Sequence, residues 1–209
     1  MQVLLVENDI NLLNSIALVL EKEGMYIDKA FDAILASSYL LNRHYDLVIL
    51  DMNLNRMAAK DLMNLSFTHH VDVPFIVLTK KKHLTQSLLN FSVVANEYLS
   101  LPFKSSHLLK LIERTINLHK RKDEAITYQD FKLENFSMMS KSGKKYLTTT
   151  EFLILEKLIK GEDNLNELVQ SVDDLWIYAD SINAKLKALG SVVLINYKDK
   201  KYILEGGVK

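Results

Sequence analysis

Glu7, Asn8, Asp51, Asn53, Thr79 and Leu101 are the residues whose types and spacing bear most directly on chemistry. They lie in four short segments: Val6-Glu7-Asn8-Asp9, Leu50-Asp51-Met52-Asn53, Leu78-Thr79 and Leu101-Pro102-Phe103. Together these reproduce the pattern of a phosphate-receiving site. A carboxylate that accepts a phosphoryl group needs a divalent cation to neutralise the arriving charge. Hard cations such as Mg²⁺ take oxygen ligands, commonly a carboxylate pair and a backbone carbonyl. A lysine ammonium and a hydroxyl then hold the phosphoryl oxygens, because the transferring group carries dispersed negative charge. A lone aspartate at a strand end is ordinarily a turn or capping residue. Asp51 stands apart because its partners follow in order along the chain.

The elements that must position these residues can be read from apolar patterning. β-rich runs occur at Val3–Val6, Tyr26–Lys29, Leu47–Asp51, Phe75–Thr79 and Glu97–Ser100. Between them the apolar residues take helical spacing: Leu13, Ala17 and Leu20; Ala58, Leu62 and Leu65; Leu84, Leu88 and Phe91; Leu109, Ile112 and Ile116. Runs without alternation suit strands covered on both faces. Strands alternating with helices predict right-handed crossovers and an α/β, doubly wound, five-stranded parallel sheet. Ligands of such sheets collect beyond the carboxyl ends of the strands, and Asp51, Thr79 and Leu101 all fall there.

The charged run His119–Glu124 marks the expected boundary. Beyond it lie β-like pieces at Phe131–Leu133 and Phe136–Met139, then a turn at Lys141-Ser142-Gly143-Lys144. Thr148–Thr150 and Glu151 supply capping residues for a helix over Glu151–Lys160, stopped by Gly161. A second helix is expected over Asn164–Ser171 and a third over Leu175–Leu189, stopped by Gly190. Val192–Asn196 and Lys201–Leu204 read as a hairpin joined by Tyr197-Lys198-Asp199-Lys200. Strands, three helices and a terminal hairpin predict an α+β winged helix-turn-helix.

On these motifs the whole chain resembles the OmpR/PhoB class of bacterial response regulators. The resemblance implies a receiver-like domain over 1–121, a linker over 122–127 and a winged helix-turn-helix DNA-binding domain over 128–209. It implies that Asp51 is the phosphoacceptor position and that Thr79 and Tyr98 are the switch pair whose coupled rotation reports phosphorylation. Glu7, Asn8, Asp51 and Asn53 match the metal positions. Leu101 stands where the class has a lysine, ahead of a cis proline at Pro102.

The departures from the class have physical consequences. Asn8 is neutral where a second carboxylate is usual, so metal affinity is expected to fall, and Leu101 cannot pair with phosphate. Asn55 replaces a turn-closing proline. Lys80, Lys81 and Lys82 are the available substitute charge, and Asp9 the available substitute carboxylate. No cofactor is required on this reading, and Mg²⁺ is expected to bind weakly at most. In the second half, Ser181 and Asn183 can hydrogen-bond base edges. Lys185, Lys187 and the wing residues Lys198, Lys200 and Lys201 are the phosphate-contact candidates. Trp176 reads as a core or interface anchor. The loop before the third helix, Val172-Asp173-Asp174, is short, and this disfavours direct contact with RNA polymerase.

Composition sets the outer bounds. Lys+Arg and Asp+Glu are equal at 26 each, so no global field draws the chain to nucleic acid or membrane. From Glu124 onward twelve lysines face thirteen acidic residues, so DNA binding needs a local patch. Absence of cysteine excludes disulfides and thiolate metal sites and suits the cytoplasm. Apolar runs fall short of the roughly 20 residues that cross a bilayer. His44, His69, His70, His83, His107 and His119 lack zinc-site spacing, and no hydrolase or Gly-rich phosphate motif is present. The expectation is a non-enzymatic, atypical response regulator that binds promoter DNA. It would dimerise through the face of the fourth helix, fifth strand and fifth helix, where Leu88, Leu108 and Leu111 are candidates. Its sensor kinase is unidentified. A protein-interaction adaptor without DNA binding and a conventional phosphorylated switch are the competing readings.

Overall fold

The computed structural model describes residues 1–54, 59–80, 95–120, 125–134, 136–198 and 201–206. The chain divides into two compact units, the first ending at Lys120. In that unit β1 (Gln2–Val6), β2 (Tyr26–Ala30), β3 (Leu47–Asp51), β4 (Phe75–Lys80) and β5 (Glu97–Leu101) form one parallel sheet in the order β2-β1-β3-β4-β5. All five residues of β3 are buried, as expected of a central strand with both faces covered. Helices α1 (Ile10–Lys22), α2 (Ala33–Asn42), α3 (Ala59–Thr68) and α4 (Ser105–Lys120) accompany the sheet. Leu13, Ile16 and Leu20 of α1 and Leu108, Leu111 and Ile112 of α4 join Leu5, Ile49, Leu78 and Leu99 in one core cluster. The expected helix around Leu84, Leu88 and Phe91 lies outside the described residues, as do Asn55 and Ala58.

Local chemistry starts and stops these helices. Asp9 caps α1, its carboxylate accepting from the Asn11 and Leu12 amides at 2.9 and 3.1 Å. The chain leaves α1 through Gly24 at φ 77°, where Met25 N–H returns to Leu20 carbonyl at 3.2 Å. Asp32 caps α2 in the same manner as Asp9 caps α1, donated to by the Leu35 amide at 2.8 Å. The Leu101–Pro102 peptide is cis.

The second unit opens with an antiparallel sheet of β6 (Ile126–Tyr128), β7 (Phe131–Glu134), β8 (Ser137–Ser140) and β9 (Gly143–Tyr146). Helix α5 (Thr149–Ile159), a single 3-10 turn (Leu165–Leu168), helix α6 (Val172–Ala188) and the hairpin β10 (Val193–Lys198)–β11 (Lys201–Gly206) follow. This is a winged-helix architecture with a reduced second helix. The helix expected over Asn164–Ser171 is corrected to that one turn; α6, begun by the Ser171–Asp174 capping box, takes up the chain from Val172. β6 starts inside the span 122–127 expected as linker, with Ile126 and Thr127 paired to Leu133 and Lys132. Among the described residues, no helix is long and apolar enough to cross a membrane.

Candidate functional site

Strand register brings the four sequence segments to one edge of the sheet. Val6 pairs with Leu50, so Glu7 and Asp51 emerge side by side just past that pair. Asp51 pairs with Leu78, which places Thr79 one residue further along the neighbouring strand. Thr79 in turn pairs with Ser100, and Lys80 with Leu101. Glu7 and Asp51 are 2% and 8% exposed, whereas Asn8 and Asn53 are exposed. The Asn8 amide, oriented to satisfy its neighbours, donates from Nδ2 to Glu7 Oε1 at 3.0 Å and to Asp51 Oδ2 at 3.2 Å. An uncharged amide thus bridges the two acids. Thr79 is buried, its hydroxyl 3.6 Å from Met52 Sδ, and Tyr98 is buried on β5, where it pairs with Val77. Asp9 does not act as a spare carboxylate, because its Oδ1 is committed to capping α1.

Burial dominates the electrostatics of this edge. It pushes Glu7 up to about 7, the amide of Asp9 holding it down somewhat and the charges of Asp51 and Asp9 adding to the rise. Burial also raises Asp51, against hydrogen bonds from the Asn53 and Met52 backbone and the attraction of Lys80. Among the described residues Lys80 is the cation that Asp51 senses; Lys81 and Lys82 lie outside them.

In the second unit the residues expected to meet DNA are mostly turned inward or paired. Ser181 is buried and donates from Oγ to Glu151 Oε1 at 2.7 Å. Lys185 Nζ lies 2.7 Å from both Glu151 oxygens. Asn183 clasps the backbone of β10, donating to Ile195 carbonyl at 2.9 Å and accepting from its amide at 2.7 Å. The expectation that these three side chains face a groove is corrected, because the fully buried Glu151 and the edge of β10 claim them first. Lys198 pairs with Glu205 and Lys201 with Asp163, each at 2.6 Å. Lys187 is exposed, and Lys200 lies outside the described residues. Trp176 is half-exposed and packs on Tyr197 and Tyr202, ring centroids 5.3 and 5.6 Å away. This makes it an anchor between α6 and the hairpin.

Residues 3–113 match the response regulator receiver domain family. The chain belongs to that family. It is 25% identical to the transcriptional regulatory protein DltR of Streptococcus agalactiae, over 98% of this chain and 99% of DltR. It is also 25% identical to the alkaline phosphatase synthesis transcriptional regulatory protein SphR of Synechococcus elongatus, over 97% of this chain and 87% of SphR. A solved structure of a RitR mutant superposes over 99% of both chains with TM-score 0.64 at 23% identity, a likeness of fold.

As a receiver, the acidic edge has the oxygen chemistry for Mg²⁺. Glu7 Oε2 is buried without a hydrogen-bond partner among the described residues, and Asp51 lies across the Asn8 bridge from it. Glu7, Asp51 and the Asn53 carbonyl would hold such an ion, with Asn8 turned to present its oxygen. What the ion supplies there is charge neutralisation. Among the described residues no group of three His, Cys, Asp or Glu side chains is placed to hold a metal. Two features escaped sequence reasoning. The donor role of Asn8 depends on an amide orientation that the residue type leaves open. The cluster around Glu151 joins residues 30 and 34 positions apart, although the Thr148–Glu151 capping spacing already singled that glutamate out.

Proposed function

We propose that this response regulator controls transcription with its receiver unit uncoupled from aspartyl phosphorylation, acting as a dimer paired through that unit. The observation that carries this reading is the Asn8 amide joined to both Glu7 and Asp51, with Leu101 at the position where a phosphate-holding lysine is needed. One oxygen of each acid already accepts a donor from within the protein, and an arriving phosphoryl group would meet no cationic clamp at β5. The names of DltR and SphR, both full-length relatives, support transcription control. Leu108 and Leu111 belong to the core and cannot form the pairing face; Leu88 lies outside the described residues. Incubation with a small phosphodonor and Mg²⁺, followed by intact-mass measurement, tests the proposal. The expected result is an unmodified chain. A stoichiometric adduct abolished by Asp51→Asn would overturn it.

One observation favours a second reading, an adaptor that has given up DNA. Ser181, Asn183 and Lys185 are engaged inside the unit, and the exposed face of α6 carries Asp173, Trp176 and Asp180. A salt-dependent shift assay on duplex DNA separates the two readings, since absence of binding at low salt selects the adaptor.

A further inference from the structure

Among the described residues of the second unit, the lysines without an acidic partner are gathered away from the strands of the wing. Lys132, Lys157, Lys160, Lys185, Lys198 and Lys201 each lie between 2.6 and 3.0 Å from a carboxylate oxygen. Lys141, Lys144, Lys145 and Lys187 are the described lysines of this unit that have no acidic partner among the described residues. Three of these four sit within five residues of one another on the β8–β9 hairpin, where residues 141–146 are all exposed. The fourth joins them through packing. Ser140 Oγ donates to Leu189 carbonyl at 2.8 Å, tying the end of α6 to the hairpin. A Cβ on Gly190 would stand 3.3 Å from Ser142 Oγ, so the contact is close, and Lys187 occupies the last turn of that helix. Tyr146 is 53% exposed beneath the Lys144 ammonium, 4.8 Å from the ring centroid.

Lysines on an edge strand guard it against strand addition, and β9 is such an edge. That role accounts for Lys144 and Lys145 but not for Lys141 or for the approach of Lys187 from the neighbouring helix end. A duplex presents closely spaced phosphates, and unpaired lysines gain most from displacing its condensed counterions. A lysine already bound to a carboxylate must first give up that partner.

We propose that the β8–β9 hairpin, with Lys187 at the end of α6, is the surface that grips the phosphate backbone of double-stranded DNA, in place of the wing and the forward face of α6. The assignment rests on the transcription-control reading above and gives that reading its contact surface.

Fluorescence anisotropy of the full chain with a mixed-sequence duplex, over a range of salt, tests it. The K141A/K144A/K145A variant is expected to bind about tenfold or more weakly and to lower the salt slope by roughly two to three, one phosphate contact being worth about 0.9. The K198A/K201A variant is expected to stay within about twofold of the parent, because those lysines neutralise the protein's own acids. A triple arginine variant at 141, 144 and 145 retains binding if charge is what matters, which separates lost charge from a damaged hairpin. Loss of binding in the wing variant with none in the hairpin variant overturns the assignment and leaves DNA binding standing. Absence of salt-dependent binding by the parent chain overturns DNA binding, and the assignment with it.

Discussion

Asn8 replaces a carboxylate with a side chain that can donate hydrogen bonds, and this reverses what the pocket asks of its surroundings. Two acids that would need an external cation are joined by Nδ2. Restoring both missing charges should restore the chemistry: the N8D/L101K double variant is expected to acquire a phosphoryl adduct at Asp51 under conditions that leave the parent unmodified, as read by intact mass. Glu7 gives a second test. It titrates at about 7 when folded against 4.5 as an ordinary glutamate, so between those values the unfolded chain binds fewer protons. The stabilising contribution is complete below the lower value and is lost as pH rises through the upper one. Stability should fall across that window by up to about 3 kcal/mol, and Glu7→Gln should flatten the profile. Urea midpoints measured on either side of the window check this.

At the scale of elements, the α5–α6 pair is organised around a buried acid. Glu151 begins α5 by reciprocating the Thr148 cap, accepting from its amide at 2.7 Å, and then receives Ser181 and Lys185 from α6. Removing one member strands the others: Lys185→Ala leaves Glu151 uncompensated and should cost roughly 3–5 kcal/mol in denaturant melts. Thr148→Ala, which removes only the cap, should cost about 1 kcal/mol. The cap was legible in sequence because capping is local. The inward turn of Ser181 and Lys185 was not, because a partner some thirty residues distant decides it. The same distinction explains the strands. β3 was readable as Leu47–Asp51 from its unbroken apolar run. β9, with the sequence Gly-Lys-Lys-Tyr and every residue exposed, carries no apolar signal and is fixed only by pairing with β8. The second helix of the winged fold failed for a related reason. Leu165 and Leu168 have helical spacing, but the chain closes only one 3-10 turn there before Val169 turns extended.

For the whole molecule, the proposed uncoupling from phosphorylation means that assembly should not respond to phosphodonor. Light scattering is expected to give a dimer at the same protein concentration with and without phosphodonor and Mg²⁺, and a monomer converted to dimer only by phosphodonor would contradict this. The parallel sheet and the convergence of Glu7, Asp51, Thr79 and Leu101 could be read from the chain because the alternation of strands with helices and the strand ends follow from simple patterning, whereas the strand order did not. The surface that meets a partner could not, since free and paired lysines look alike until their neighbours are known. One aromatic residue offers direct access to the second unit. The chain holds a single tryptophan, and Trp176 is half-exposed against two tyrosines of the terminal hairpin. Its emission is therefore a built-in optical probe of whether that hairpin stays seated on α6. Quenching and spectral shift can be followed at this one site without any attached dye and without a competing indole signal from the receiver.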